Sequence, residues 1–245
     1  MINAEKGDPS SQYFVGDYYR YGNDNIRDYN KAIEWYSKSS EGGNIGAMYK
    51  LGHFYCNGYD VKIDYKKAFE FYLKSAEGGY KDALYMVGEC YCYGIGILKD
   101  ESKAFEWYLK AAEKGQINSL YLVANYYNDG KYIPKNEEKE FYWIKKAALY
   151  DIVEAQYKIA GYYLNNPINK NENKALKWYL KLANENRPRA IYLVAKCYRD
   201  GIGTDKNSKE AATWFKKRFL KSKPITLEKF LSGSDIFGVS KLSMY

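Results

Sequence analysis

Residues 82–115 decide the fold, and they read DALYMVGECYCYGIGILKDESKAFEWYLKAAEKG. In the first half of this stretch, Ala83, Val87, Gly88 and Tyr91 follow one another at steps of four, one and three residues. Steps of this kind place side chains on one face of a helix with 3.6 residues per turn. The first half therefore predicts an amphipathic α-helix whose buried face contains a small residue at its middle.

The second half of the stretch has the pattern of another helix with its own start signal. Gly94 follows the first helical face and is the residue type that ends helices. Asp100 stands four residues before Ala104, at the place where Asp and Asn cap a helix. The unit is thus a helix, a glycine stop, a loop and a capped helix. The small Gly88 would let the helix that carries Trp107 approach closely.

The same unit recurs along the chain at steps of 36 residues, with one step of 35. The aromatic pair returns at Trp35-Tyr36, Phe71-Tyr72, Trp107-Tyr108, Trp143-Ile144, Trp178-Tyr179 and Trp214-Phe215. The small residue returns at Gly16, Gly52, Gly88, Ala124, Ala160 and Ala195. Two columns that share one period and one shortened step define six repeats, from Ser11 to about Lys217.

Two further columns predict where the helices of each repeat end and begin. The stop column holds Gly22, Gly58, Gly94, Gly130, Asn166 and Gly201, and we expect a left-handed backbone at each. The cap column holds Asp28, Asp64, Asp100, Asn136, Asn171 and Asn207, which we expect to be N-caps. Strand patterns are missing from the sequence. The expected architecture is an all-α solenoid of about twelve helices.

Residues 82–115 resemble the Sel1-like repeat, a relative of the tetratricopeptide repeat with a slightly longer unit. The family pattern is Ala-x-x-x-Leu-Gly-x-x-Tyr-x-x-Gly, then Asp, then Lys-Ala-x-x-Trp-Tyr-x-Lys-Ala-Ala, and repeats two and three meet almost all of it. Repeats four and five depart from it, with Glu140 for alanine, Ile144 for tyrosine and Asn166-Pro167 in the glycine loop. The resemblance implies a right-handed α-solenoid of six Sel1-like helix-turn-helix repeats.

The repeat columns divide the chain into three parts. Residues 1–10 form a loose leader or an N-cap. The repeats cover about 11–46, 47–82, 83–118, 119–154, 155–189 and 190–217. Residues 218–245 form a capping helix and tail: 218–231 covers the open end of the last repeat, because a terminal repeat exposes an apolar face. The alternative for the tail is a docking peptide carried by Ile236-Phe237 and 242–245.

The family resemblance implies a protein–protein interaction scaffold, without enzymatic activity and without a cofactor. Positions that vary between repeats are the candidates for partner contact. Two such columns lie on the first helices, two residues before and one after the small residue, and we call them the variable stripe. Its candidate partner-binding residues are Phe14, Asp17, Lys50, His53, Met86, Glu89, Leu122, Asn125, Lys158, Leu193 and Lys196.

The variable stripe predicts how a partner peptide would lie along the concave face. The apolar members Phe14, Met86, Leu122 and Leu193 are the expected anchors, because large apolar groups outside a repeat's own core need a cover. The charges change from Asp17 and Glu89 toward Lys158 and Lys196. This gradient predicts that the basic part of the peptide lies near repeats one to three and the acidic part near repeats five and six.

An RNA-binding helical-repeat protein is the alternative, because the chain has 29 tyrosines, a formal net charge of +8 and a pI of about 9.0. Eleven lysines, however, recur at fixed repeat positions: Lys38, Lys74, Lys110, Lys146, Lys181 and Lys217, and Lys31, Lys67, Lys103, Lys139 and Lys174. Sixteen tyrosines occupy repeat columns too. We interpret both sets as part of the scaffold, so nucleic acid is the less favoured partner.

No catalytic or metal-binding motif emerges from the sequence. His53 is the sole histidine, which excludes chemistry that needs two imidazoles. Gly94-Ile95-Gly96 and Gly201-Ile202-Gly203 lack the third glycine of a dinucleotide fingerprint, so we interpret them as turns. Cys56, Cys90, Cys92 and Cys197 fall on first helices without a partner on the second helix of the same repeat. They are expected to be free thiols in a reducing compartment.

Composition places the protein among globular chains. Hydrophobic residues make up 46% and charged residues 28%, and no run approaches the roughly 18 apolar residues of a membrane span. The first nine residues lack the pattern of a secretory signal. We therefore expect a monomer without membrane insertion, located in the cytoplasm. The richness in Lys, Asn, Tyr and Ile suggests an AT-rich genome, and for a virus, symbiont or parasite the location would be the host-cell cytoplasm.

Overall fold

A computed structural model describes residues 2–219 and 231–232 of the chain. These residues form thirteen α-helices and no β-strand. The helices are α1 (Ile2–Glu5), α2 (Pro9–Tyr21), α3 (Tyr29–Glu41), α4 (Ile45–Asn57), α5 (Tyr65–Glu77), α6 (Lys81–Tyr93), α7 (Glu101–Glu113), α8 (Ile117–Asp129), α9 (Glu137–Leu149), α10 (Val153–Asn165), α11 (Glu172–Asn184), α12 (Pro188–Asp200) and α13 (Ser208–Phe219).

The chain divides into two compact units, residues 1–140 and 141–245, with the boundary inside α9. In the first unit, each first helix packs on the second helix of its repeat: α2 on α3, α4 on α5 and α6 on α7. In the second unit, α10 packs on α11 and α12 on α13 in the same way. Four second helices also pack on the first helix of the next repeat: α3 on α4, α5 on α6, α7 on α8 and α11 on α12. Every described repeat within a unit therefore shares its core with its neighbours.

All six predicted N-caps are confirmed. In each repeat the cap side chain accepts a hydrogen bond from the backbone N–H three residues later, at 2.9 or 3.0 Å. The pairs are Asp28 with Lys31, Asp64 with Lys67, Asp100 with Lys103, Asn136 with Lys139, Asn171 with Lys174 and Asn207 with Glu210. Each bond satisfies one of the N–H groups that a helix leaves without a partner in its first turn.

The prediction of a left-handed stop is confirmed in four repeats and wrong in two. Gly58, Gly94, Gly130 and Gly201 have φ between 66° and 75°. Gly22 has φ −59°, and its lack of a side chain instead makes room for Ile26, since a Cβ there would lie 2.5 Å from Ile26 Cγ2.

Asn166 is the second exception, with φ −76° and ψ 121°. It precedes Pro167, and the proline ring disfavours the helical and left-handed regions for the residue before it. The Asn166 side chain accepts hydrogen bonds from the backbone N–H groups of Ile168 and Asn169, at 3.0 and 2.9 Å. An asparagine turn thus replaces the glycine stop in repeat five.

The small column receives the tyrosines of the second helices, as expected. A Cβ on Gly16, Gly52 or Gly88 would lie 2.5–2.6 Å from a ring carbon of Tyr36, Tyr72 or Tyr108, respectively. These three rings are 0–1% exposed. The absent side chain is therefore what allows a tyrosine to cross each first helix.

The two ends of the repeat array differ in how far they are described. Residues 1–10 were expected to be either a loose leader or an N-cap, and the structure shows an N-cap. Asp8 accepts a hydrogen bond from Ser11 N at 2.7 Å, and the short helix α1 before it buries Ala4. The boundary predicted at residue 11 falls inside α2, which begins at Pro9. Of the predicted cap and tail, the part beyond α13 lies outside the described residues except 231–232. Leu231 packs against a cluster of Tyr192, Ala195, Ala211 and Phe215.

Candidate protein-interaction surface

The earlier column of the variable stripe is less exposed than its composition suggested. In the first unit Phe14 is 68% exposed, whereas Lys50, Met86 and Leu122 are half-buried. Met86 packs against the core cluster around Tyr72 and Val87. The expectation that all four apolar members stand outside the core is therefore wrong for Met86.

In the second unit the same column gives Lys158 and Leu193, both half-buried. Leu193 packs against the cluster formed by Ala160, Leu182 and Val194. A residue two positions before the small column reaches the side of the adjacent helix and covers core atoms there. Of the apolar stripe members, Phe14 is the exposed one, and Leu122 is half-buried on α8.

The later column of the variable stripe binds the tyrosines of the second helices. The Tyr36 hydroxyl donates a hydrogen bond to Asp17 at 2.6 Å, and the Tyr108 hydroxyl donates one to Glu89 at 2.5 Å. In repeat two, His53 packs edge-on against Tyr72 with ring centroids 5.4 Å apart. In repeats one and three the residue in this column therefore accepts a hydrogen bond from a buried tyrosine hydroxyl, and in repeat two it contacts only the tyrosine ring, which repetition alone did not reveal.

These contacts change the predicted charge gradient at repeats one to three. Asp17 is held by Tyr36 and lies 3.9 Å from the Lys50 ammonium, and Glu89 is held by Tyr108. Both carboxylates therefore already have partners within the fold. Their availability to a basic peptide segment is lower than the sequence implied. Asn125, Gly161 and Lys196, the other residues of the later column, are half-buried.

His53 lies in a positive environment on the same surface. The pKa of His53 is lowered to about 4. Burial is the main cause, and the positive charges of Arg20 and Lys50 lower it further. A neutral imidazole is thus the stable form near neutrality. Its edge-on contacts with Tyr49 and Tyr72, at centroid distances of 4.6 and 5.4 Å, hold the ring in place.

A pocket of about 260 Å³ lies between repeats three and four, within the first unit. It is lined by Glu101, Leu122, Asn125, Tyr126, Asp129, Lys131 and Tyr132. Two of these, Leu122 and Asn125, belong to the variable stripe. The Tyr126 hydroxyl donates to Glu101 at 2.6 Å, and Lys99 pairs with the same carboxylate at 3.0 Å. The pocket therefore has an apolar wall, a fixed carboxylate and an aromatic rim.

A second pocket, of about 330 Å³, lies between repeats one and two. Arg20 and Tyr21 from the end of α2, Arg27 from the loop, Tyr29 from α3 and Tyr59 from the loop after α4 line it. None of the five was among the predicted site residues. Both pockets lie at the end of the repeats where the first helices stop.

A sequence signal for these pockets exists in the loops that follow the first helices. Repeats three and six have Gly-Ile-Gly there, and a Cβ on the second glycine, Gly96 or Gly203, would overlap the backbone carbonyl of the preceding repeat. Repeats two and four carry a larger residue at that position, Asp60 and Tyr132. Their loops therefore cannot approach the backbone of the preceding repeat as closely as Gly96 and Gly203 do. The two pockets lie at these two repeat junctions.

The recurring lysines lie against aromatic rings of the scaffold. In one column Lys38, Lys110, Lys146, Lys181 and Lys217 each lie 4.3–5.5 Å from the ring centroid of a tryptophan three residues earlier. In the other column Lys31, Lys67, Lys103, Lys139 and Lys174 lie 4.2–5.5 Å from a tyrosine of the first helix. These cation–π contacts give the basic surface a structural role.

The cysteines and acidic residues offer no built chemical site in the described ranges. All four cysteines are free thiols, and burial raises the pKa of Cys90 and of Cys197 to about 12, so the reactive thiolate is disfavoured. Across residues 2–219 and 231–232, no group of three or more His, Cys, Asp or Glu side chains is placed to hold a metal ion. Among the described helices, none is long and apolar enough to cross a membrane.

Comparison with protein-family models matches six Sel1 repeats, at residues 9–44, 45–80, 81–116, 117–149, 153–186 and 188–217. A Sel1 repeat protein from Oxalobacter formigenes shares 26% identity with a TM-score of 0.72, over 92% of this chain and 90% of that one. The protective antigen c5321 of uropathogenic Escherichia coli, which displays an SLR fold, shares 28% identity with a TM-score of 0.50, over 88% of this chain and 54% of that one. Comparison with curated proteins finds no match. The predicted fold class, an all-α solenoid of six such repeats, is confirmed.

Proposed function

The chain belongs to the Sel1 repeat family, and on that premise we propose that it is an adaptor that binds a protein partner along the variable stripe of its first helices. Sel1 repeat proteins are generally protein-interaction scaffolds, and their fold is a typical non-catalytic one. The proposal for this chain adds the surface and the residues. It takes the stripe to be the concave, partner-facing side of the repeats.

The observation that carries the proposal is the pocket between repeats three and four. Leu122 and Asn125, chosen because they vary between repeats, line it together with Tyr126 and Tyr132. A concave site with an apolar wall and a few fixed polar groups is the usual form of a recognition site. A bulky apolar side chain of a partner would contact Leu122 while polar groups of its backbone meet Asn125.

Phe14 supplies the second apolar contact of this surface. Its ring is 68% exposed on α2, and Tyr18, one helical turn further, is 54% exposed. Burying such aromatic groups provides a large share of the free energy of binding at protein interfaces. Met86 and Leu193 are members of the variable stripe that pack on core clusters, and they are left out of the binding set.

RNA binding is the competing function, and the lysine contacts weaken it. Ten of the eleven recurring lysines lie on tryptophan or tyrosine rings of their own repeat. An RNA-binding surface would give an affinity that falls by orders of magnitude between about 50 and 200 mM salt. A protein partner would survive nuclease treatment and show a shallower salt dependence.

The test is affinity capture of partners from the native cell after nuclease treatment, with wild type and two double variants. Phe14→Ala with Leu122→Ala should reduce capture of a defined protein at least about tenfold, because two apolar contacts are lost. Lys74→Ala with Leu149→Ala is the matched control; both residues are exposed and lie on second helices. Equal losses in the two double variants, or capture that disappears with nuclease, would contradict the proposal.

We propose a cytoplasmic location for this adaptor. The four free cysteines support it, because a reducing compartment keeps thiols unpaired. Cell fractionation tests the location, and recovery of the protein from a secreted fraction with oxidised cysteines would contradict it.

A further inference from the structure

The pocket between repeats one and two contains an arginine whose charge the fold does not neutralise. Nη1 of Arg20 is buried and has no hydrogen-bond partner among the described residues. The guanidinium lies over two aromatic rings, 5.1 Å from the centroid of Tyr21 and 5.2 Å from that of Phe54. No carboxylate of the described residues forms an ion pair with it within 4 Å. A buried donor without a partner is costly, which indicates a group that the bound state supplies.

Arg27 adds a second guanidinium to the same pocket. Its ion pair with Asp24, at 3.3 Å, involves a carboxylate that is 95% exposed, and such surface pairs hold their partners weakly. The pocket lining has two arginines and three tyrosines and no acidic residue. These are two of only six arginines among the 38 basic residues of the chain.

The neighbouring groups leave the pocket with an excess of positive charge. Lys50 lies beside it and donates a hydrogen bond to the Tyr21 hydroxyl at 2.9 Å. Of the two nearby carboxylates among the described residues, Asp17 is engaged by Tyr36 and lies 3.9 Å from Lys50, and Asp82 is close enough to act on the charge of His53. Burial is the main cause of the lowered pKa of His53; Arg20 and Lys50 lower it further, and Asp82 opposes them.

We propose that this pocket binds an acidic side chain, aspartate or glutamate, of the protein partner. The proposal rests on the adaptor function above and names the chemistry that one end of the variable stripe recognises. Arginine suits this ligand because its planar guanidinium donates two parallel hydrogen bonds to one carboxylate. The rings of Tyr29 and Tyr59 would cover the methylene groups of the ligand and exclude water from the ion pair.

This assignment reverses the predicted polarity of the partner at repeats one and two. The sequence-based gradient placed the basic part of the peptide there, on the strength of Asp17. The structure engages Asp17 within the fold and leaves Arg20 without a carboxylate. An acidic residue in the partner therefore matches the unpaired charge.

The test uses the full chain, labelled with ¹⁵N, and a matched pair of small probes. N-acetylglutamate N-methylamide carries one side-chain carboxylate, and N-acetylglutamine N-methylamide is its neutral counterpart. The acid should shift the amides of Arg20, Tyr21 and Tyr59 with a Kd in the millimolar range, about −4 kcal/mol. The amide should leave them unchanged.

Variants separate recognition of the carboxylate from loss of folding. Arg20→Gln should raise the Kd of the acid probe at least about tenfold, as expected when a charge-assisted hydrogen bond is lost. Arg20→Lys should weaken binding of the acid probe less, because lysine keeps the positive charge and loses only the two parallel hydrogen bonds to the carboxylate. Arg27→Gln, at a side chain 45% exposed, should weaken it while the spectrum stays folded. Arg187→Gln in the second unit removes the same charge and should have no effect.

Three results would overturn the assignment. The first is equal shifts from the acid and the amide probes. The second is equal affinity of the wild type and Arg20→Gln chains for the acid. The third is binding of uridine monophosphate or inorganic phosphate to the same amides at least about tenfold tighter than the acid, which would make this a phosphate site and favour nucleic acid.

Partner capture distinguishes failure of this inference from failure of the adaptor function. A captured protein that binds wild type and Arg20→Gln equally would remove the acidic-group assignment and leave the adaptor function intact. Conversely, Arg20-dependent binding of the acid probe without any nuclease-resistant protein partner would support the pocket and count against the adaptor.

Discussion

The ring of Tyr108 occupies the space that a side chain on Gly88 would need. A Cβ on Gly88 would lie 2.6 Å from Cδ1 of Tyr108, closer than nonbonded carbon atoms approach. The two residues belong to α6 and α7, so their contact sets how closely the helices of repeat three cross. Gly16 with Tyr36 and Gly52 with Tyr72 repeat the relationship.

The first prediction concerns this crossing. Gly88→Ala should lower the free energy of unfolding by about 1–3 kcal/mol, because the added methyl forces the Tyr108 ring or the helix to move. Gly88→Leu should lower the free energy of unfolding further. The measurement is the urea unfolding midpoint followed by circular dichroism.

Gly161 provides the matched control for that measurement. It lies inside α10, and a Cβ built on it would meet no atom within 4 Å. Gly161→Ala should therefore stabilise the chain by about 0.5–1 kcal/mol, the ordinary gain of alanine in a helix interior. A Gly88→Ala midpoint that rises together with that of Gly161→Ala would contradict the packing account.

The second prediction concerns the hydroxyl of the same tyrosine. Tyr108→Phe removes the hydrogen bond to Glu89 and leaves the carboxylate without that donor, which should cost about 1–2 kcal/mol. Tyr72→Phe is the control, because the buried Tyr72 hydroxyl has no carboxylate partner among the described residues and only the weakly hydrogen-bonding Cys56 thiol beside it. That variant should be neutral or stabilising, so equal losses in the two variants would show that the Glu89 contact contributes nothing.

The sequence predicted those features of the fold that depend on one repeat alone. The N-caps, the small column and the burial of Tyr36, Tyr72 and Tyr108 follow from local spacing and are all present. The left-handed backbone predicted for Gly22 and Asn166 was wrong, because Ile26 and Pro167, which lie outside the column, determine the backbone there. Periodicity describes the average repeat and misses such individual neighbours.

The candidate site was predicted less well, because it depends on contacts between repeats. Variation between repeats was expected to mark binding residues, yet Asp17 and Glu89 vary while serving a conserved role as partners of buried tyrosines. The arginine pocket was missed because Arg20 and Tyr59 come from different repeats. Asp60 and Tyr132 stand where repeats three and six have the second glycine of the loop. These larger residues were the sequence feature that could have predicted the two pockets.

The third prediction is a pH dependence that the single histidine makes easy to measure. The folded pKa of His53, about 4, lies below the value of 6.5 for a free imidazole. Between these values the unfolded chain binds a proton that the folded chain does not. The contribution of His53 to stability is therefore full above pH 6.5 and is lost as the pH falls toward 4.

Two measurements check this dependence. The imidazole resonance of His53 should titrate near pH 4 in the folded protein, and a midpoint near 6.5 would contradict the assigned environment. His53→Gln should flatten the dependence of the unfolding midpoint on pH in this interval, by at most about 1.4 kcal/mol per pH unit.

The central claim, that a protein partner binds the variable stripe, is tested most directly by site-specific photo-crosslinking in the native cell. A photoreactive phenylalanine analogue replaces Phe14 or Leu122 on the first helices, and Tyr142, 51% exposed on α9, serves as the matched aromatic control. The account predicts one nuclease-resistant protein adduct from both stripe positions and none from Tyr142. An adduct from Tyr142 without one from Phe14 or Leu122, or adducts that nuclease removes, would contradict it.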